Sequence, residues 1–292
     1  MNSVVVCNTG SDSISKINIS DLSLENLSLD FEEKPIGPHG IYAVNNKIYT
    51  ANNYNNSISI INGNTFKEEK SIYIGPYPND IVTLKDKLYI TCGEGNTLIV
   101  YDGVGEKILF EVPVGKWTHN IAIYKEAQML FVSNLEGNSL SVIDGIDNKV
   151  IKTISTLEYP TKVIVSKDKS KLYVCESYIG EDTCGYIEIF STRDLMPIKR
   201  IKVGKSPLDM CDDGKNLFVS NFSEGTISIV DTEALKEVKK IYIGSMPKGI
   251  LKYDDNLFIG DYLKGRFISL DLKTEKIKAI TIGKEPNAMT LY

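Results

Sequence analysis

LFVSNFSEGTISIVD, residues 217–231, reads as a strand, a polar turn and a second strand. Its opening five letters recur unchanged at Leu130–Asn134. Related runs are VVVCN (Val4–Asn8), IYTAN (Ile48–Asn52), LYITC (Leu88–Cys92), LYVCE (Leu172–Glu176) and LFIGD (Leu257–Asp261). The last residues of these seven runs stand 40 to 45 residues apart along the chain. Counted through Tyr292 and on from Met1, the interval from Asp261 back to Asn8 is 39. Near-equal intervals that close on themselves describe a ring of seven units.

Each unit carries more than the opening run. A second run follows, as in SISIIN, TLIVYD, SLSVID and TISIVD, and in six units its closing Asn or Asp lies ten residues after the marker. The unit around Glu176 instead reaches YIEIFS with five extra residues. A third run ends most units on glycine, at Gly75, Gly115, Gly204, Gly244 and Gly283. A loop, often with a proline, and a fourth apolar run such as DIVTL or GILKY complete the pattern. Four short strands per unit, punctuated by Gly, Asn and Asp, predict an all-β, seven-bladed propeller with four antiparallel strands per blade. The expected single domain, 1–292, divides near 37–74, 75–114, 115–156, 157–203, 204–243, 244–282, and 283–292 plus 1–36. The last blade is expected to combine Ala288–Tyr292, as inner strand, with three strands from the N-terminal end. The last strand of each blade alternates and is rich in lysine, with Pro113 in one case, as suits an outer edge that must not pair further.

The pattern of Leu217–Asn221, Thr226–Asp231 and Gly204–Pro207 resembles the YVTN-repeat, or YncE-like, β-propellers. The resemblance covers essentially the whole chain and implies the fold, because its signature residues are structural. Members that resemble it are often extracytoplasmic or surface-associated. Lactonases and the streptogramin lyase are more distant seven-bladed relatives, and neither's diagnostic motif is found here.

Composition narrows the class. The chain has 292 residues, 42% hydrophobic and 24% charged, with a net charge of −5, so neither nucleic acid nor a membrane is an expected partner. Five cysteines without a CxxC pair fit reduced thiols. The opening MNSVVVCNTG lacks a basic region and a long apolar run, so a cytoplasmic protein is expected, or an extracytoplasmic one if a leader has been trimmed; a monomer is expected.

In a propeller, the loop into the inner strand and the loop after the second strand meet around the channel, and that concave face is the default ligand site. The residue after the loop proline, or its equivalent, is His39, Asn79, His119, Thr161, Leu208, Lys248 and Asn287 in ring order. The chain has two histidines and both fall in this register. Imidazole serves as base or ligand near neutrality, so His39 and His119 are candidate catalytic and ligand-binding residues. The plainer alternative is a hydrogen bond within each loop. Tyr77, Trp117 and Tyr159 precede the register in three consecutive blades; Tyr54, Tyr178, Phe222 and Tyr262 follow the second strand. Such aromatics suit peptides, sugars or flat ligands, or pack on the neighbouring loop.

The marker position reads Asn8, Asn52, Cys92, Asn134, Glu176, Asn221 and Asp261. Asn and Asp shape turns by bonding their own backbone, whereas Glu176 and Asp261 break the repeat with charge. Asn134, Glu176, Asn221 and Asp261 offer the oxygen ligands of Ca²⁺ or another divalent cation, and Glu176 is a further catalytic candidate. No other cofactor is expected. The insertion between Glu176 and Tyr186, which carries Cys184, extends the same face as a partial lid.

Two functions follow from different classes, since fold alone names none. The first is a non-enzymatic binding scaffold for a small molecule, glycan or peptide, or for a protein partner, on the loop-rich face. The alternative is a lyase or lactonase-type enzyme, with His39 or His119 as base and Glu176 and Asp261 holding a metal or polarising the substrate. An assembly role for the rim is a third.

Overall fold

The computed structural model describes residues 3–29 and 34–292. Among these residues the chain forms seven four-stranded antiparallel sheets. Six blades are continuous in sequence. In blade 3, for example, Thr118–Tyr124 pairs with Met129–Asn134, then Ser139–Asp144, then Lys149–Ser155. The seventh has the order Pro286–Leu291, Ser3–Asn8, Ser13–Asn18, Leu24–Ser28. Val4, Val5 and Val6 pair with Leu291, Thr290 and Met289, and Ser3 and Tyr292 exchange backbone hydrogen bonds of 3.1 and 2.9 Å. The ring is thus closed within a sheet. Residues 1, 2 and 30–33 of the predicted composite blade lie outside the described residues.

Burial follows strand position. The second strand of blade 3, MLFVSN, is buried from Leu130 through Asn134 because neighbouring blades cover both its faces. The outer strand KEVKKIY, Lys236–Tyr242, is mostly exposed. The core lies between blades. Tyr89 and Leu98 of blade 2 pack with Ile121, Leu130 and Ile143 of blade 3. One face of the composite blade packs Val4, Val6 and Ile17 on Phe258 and Phe267 of blade 6. Its other face packs Val5, Cys7 and Ile14 on Ile41, Ile48 and Ile61 of blade 1. Each such side chain contributes about 1.5–3 kcal/mol by leaving water, so the terminal strand completes two interfaces at once. Every inner strand packs against the inner strands of both neighbouring blades, the seventh against the first.

No helix among the described residues is long and apolar enough to cross a membrane.

Candidate functional site

The same backbone device builds the channel mouth seven times. Each inner strand starts with a break in register against its neighbour. Pro38 pairs with Asn52 and Gly40 with Ala51, leaving His39 unopposed. Asn79, Thr161 and Leu208 are skipped in the same way. His119, Lys248 and Asn287 fall in breaks of two residues. A bulge re-aims the side chain it releases, and all seven of these residues line one cavity on the axis. The turn before the bulge holds Tyr77, Trp117, Tyr159, Ser206 and Glu285 at φ of 50° to 56°. Side chains of the preceding blade fix it: Asn56, Asn96 and Asn138 accept hydrogen bonds from the amides of Tyr77, Trp117 and Tyr159. Gly40 and Gly249 sit where the inner strands crowd closest. A Cβ would lie 2.5 Å from the Asn79 carbonyl oxygen at Gly40, and 1.9 Å from that of Asn287 at Gly249.

The cavity holds about 150 Å³, space for a body of roughly benzene size. Below the first ring of side chains lies a second, one residue further along each inner strand: Gly40, Asp80, Asn120, Lys162, Asp209, Gly249 and Ala288. Most polar groups in both tiers tie one blade to the next. His39 Nδ1 lies 2.9 Å from the carbonyl of Asn79, and Asn79 Nδ2 donates to that of Thr118. His119 Nδ1 lies 2.7 Å from the carbonyl of Thr161, whose hydroxyl donates to that of Pro207. In the lower tier Asp80 accepts from Asn120 Nδ2 and the Ile121 amide, Asn120 from the Val163 amide, and Asp209 from the Ile250 amide. Lys162 Nζ is 3.2 Å from Asp209.

Three groups at the mouth stand outside these ties. A carbonyl oxygen can only accept, so Nδ1 of each histidine carries the proton and Nε2 keeps its lone pair in the neutral ring. No described residue bonds either Nε2. The rings lie edge to face, with centroids 5.6 Å apart. Burial, with Lys248 and the neighbouring His119, holds His39 well below its ordinary range. Burial takes His119 down to about 4 against the opposing pull of the Thr161 carbonyl. Both imidazoles are therefore neutral at neutral pH. Lys248 has no carboxylate within ion-pair distance among the described residues. Its Nζ lies 5.0 Å from the centre of the Tyr262 ring, and burial lowers it to about 8. Burial also opposes the charge on Lys162, but Asp209 and Asp80 outweigh it and raise that lysine.

The candidate residues therefore divide. His39, Asn79, His119, Lys248 and Asn287 line the cavity, although Asn79 and Asn287 spend side-chain donors on Thr118 and Thr9. The aromatic candidates do not line it. Tyr54 is exposed, and five others are half-buried against a neighbouring ring: Tyr77 with Trp117 at 5.4 Å, Tyr178 with Tyr186 at 6.2 Å and Phe222 with Tyr262 at 5.5 Å. Tyr159 also lies off the cavity, beside Glu158 and Lys116. Ile179, from the blade 4 insertion, does line it.

The four oxygen candidates for a cation are not brought together, and no described group of three or more His, Cys, Asp or Glu is placed to hold one. Each is fully buried inside its own blade. Asn134 donates to Ser139 and Ser141 and accepts from the Gly115 amide. Asn221 repeats this with Thr226, Ser228 and Gly204. Asp261 accepts from Nε and Nη2 of Arg266, at 3.0 and 2.7 Å. Glu176 accepts from the Leu157 amide and faces Arg200, which also bonds Glu188. The lower tier was not among the candidates. Its signal is a charge just inside an apolar inner strand, as in PNDIVTL, PTKVIV and PLDMCD.

No family model matches the sequence, and no curated protein matches it. Solved structures do. A protein of unknown function from Desulfotomaculum acetoxidans is 14% identical, with a TM-score of 0.79 over 99% of this chain and 98% of that one. Hydrazine synthase of Kuenenia stuttgartiensis is 15% identical, with a TM-score of 0.77 over 89% and 91%. Apo AztD from Citrobacter koseri is 12% identical, with a TM-score of 0.67 over 98% and 96%. At these identities the likeness is one of fold.

Proposed function

We propose that this chain, on its repeats a YVTN-type propeller, is a binding protein that takes a small anionic ligand in the axial cavity. The observation that carries this reading is the leftover chemistry. The residues that line a space of about 150 Å³ include two neutral histidines whose Nε2 has no described partner and a lysine with no carboxylate in ion-pair distance among the described residues. An ammonium without a carboxylate partner favours an anion, and desolvation strengthens the pairing. The imidazoles accept from a hydroxyl or amine on the same ligand. Leu208 and Ile179 supply apolar wall. Small hydroxy acids have this complement.

A ligand that binds only the folded chain raises its stability, by ~2.7 kcal/mol at a hundredfold excess over Kd. Thermal melts with glycolate and lactate are expected to shift upward in the wild type. Melts with lactamide, which lacks the charge, are expected not to, and Lys248→Met is expected to abolish the shift. Equal shifts with lactate and lactamide, or none with either acid, would refute the reading.

An enzymatic reading draws on the same pair of imidazoles, since a neutral ring with a free Nε2 is competent as a general base. Glu176 and Asp261 have no part in it, because both lie off the cavity with arginine partners.

A further inference from the structure

Lys248 differs from the other polar residues around the axis. His39, Asn79, His119, Thr161, Asp80, Asn120 and Asp209 each tie to a neighbouring blade through their side chains. Lys248 lines the cavity and is held by its backbone, whose carbonyl accepts from Ser220 Oγ at 2.7 Å, while its amine lies 5.0 Å from the centre of the Tyr262 ring at the cavity's edge. The charged groups that act on that amine are Glu285 and Asp209. Asp209 is already engaged by Lys162 and by the Ile250 amide. Glu285 is drawn to the Tyr262 hydroxyl.

We infer that Lys248 is a nucleophilic amine that condenses with the carbonyl carbon of a small 2-oxo acid or aldehyde held in the axial cavity, forming an imine. The inference rests on the cavity being the ligand site. Desolvation leaves roughly a tenth of the amine as free base at pH 7, the state that attacks, and the rest as the ammonium that holds the carboxylate. The amine lone pair forms the C–N bond as the C=O π pair moves to oxygen, and that oxygen takes one of the amine's two protons to give a carbinolamine. An N–H proton passes to an imidazole Nε2, of His39 or His119, and returns to the hydroxyl as it leaves as water. The nitrogen lone pair closes the C=N bond, so amine and carbonyl become imine and water with no oxidant or reductant needed. Once protonated, the imine keeps the positive charge that Lys248 brought. A carboxylate on the adjacent carbon then stays paired, which favours 2-oxo acids over plain aldehydes.

Glyoxylate with cyanoborohydride traps such an imine as a carboxymethylated lysine, located by peptide mapping of the intact wild-type chain. The expected result is labelling of Lys248 at least tenfold faster than of any surface lysine, and slower labelling with acetaldehyde. His39→Asn combined with His119→Asn is expected to slow it about tenfold or more. Lys248→Arg keeps a cation but is expected to show no adduct at that position or elsewhere in the cavity. Labelling of Lys248 at the rate of surface lysines, or none, would overturn the inference whether or not any variant folds. If calorimetry then still showed saturable glyoxylate or lactate binding lost in Lys248→Met, the binding reading would stand without covalent chemistry. If that binding were absent too, both would fall.

Discussion

Blades 3 and 4 solve one problem with different chemistry. In blade 3 the marker Asn134 sits fully buried, donates to two serines of the next strand and accepts the amide of Gly115 from the loop that joins blade 2 to blade 3. Only glycine fits there, since a Cβ would lie 2.5 Å from Asn134 Cγ. In blade 4 the same positions hold Glu176, Tyr186 and Glu188, and the amide that bonds the marker belongs to Leu157. Two buried carboxyls now lie where an amide and two hydroxyls lie in blade 3. Arg200 on the outer strand pairs with both, at 3.5 and 2.6 Å. Burial first, and then the hydrogen bond with Glu188, raise Glu176 well above the ordinary carboxylate range. The difference teaches that a charge breaking a repeat can be a structural replacement for the group it displaces. A neutral latch and a protonated, arginine-capped latch both satisfy an amide of the loop that enters the blade.

Three substitutions probe this comparison. The largest effect is expected from Asn134→Ala. It removes two donated bonds and leaves the half-buried Gly115 amide without its acceptor, for a loss of about 3 kcal/mol in urea unfolding. A loss below ~1 kcal/mol would mean that the latch is not a unit. Arg200→Met is next. It leaves Glu176 and Glu188 without their cation, although Arg200 is 43% exposed and water can partly replace it. About 2 kcal/mol is expected, concentrated above neutral pH.

Glu176→Gln should act in the opposite direction and is the smallest. Because the folded protein holds its proton more tightly than the unfolded chain, Glu176 favours folding most at low pH. That contribution falls as pH rises from the ordinary carboxylate range toward the raised folded value. Gln keeps the acceptor for Leu157 and a donor for Glu188 without titrating. The variant is expected to match the wild type near pH 5 and to exceed it by ~1 kcal/mol at pH 8. Denaturant melts at the two pH values decide the matter. A gain that shrinks with pH would show that Glu176 is ionised in the fold.

Much of the axial cavity was legible in the sequence. Aligning the repeats by their prolines placed His39, Asn79, His119, Thr161, Leu208, Lys248 and Asn287 in one register, and all seven line the cavity. Asp80, Asn120, Lys162 and Asp209 escaped notice because they stand one residue further on, where plain strand alternation would turn them away from the channel. The bulge at each inner strand cancels that alternation. The aromatics were legible as neighbours of the register, but not in their contacts. Tyr77 and Trp117 come from different blades, and each finds a partner ring as good as any ligand.

By itself the sequence determined the number of blades, the position of strands within each and the closure of the ring by both chain ends. Those properties follow from periodicity, and periodicity survives without coordinates. Tertiary structure alone decided which polar groups are spent. The partner of His39 is a carbonyl of the adjacent blade, 40 residues away in the chain, that of Glu176 an amide in the loop entering its own blade, and that of Lys248 a ring of its own blade. The fold's repeat fixes where a side chain stands, but the neighbour it meets in space sets its protonation and its freedom to meet a ligand.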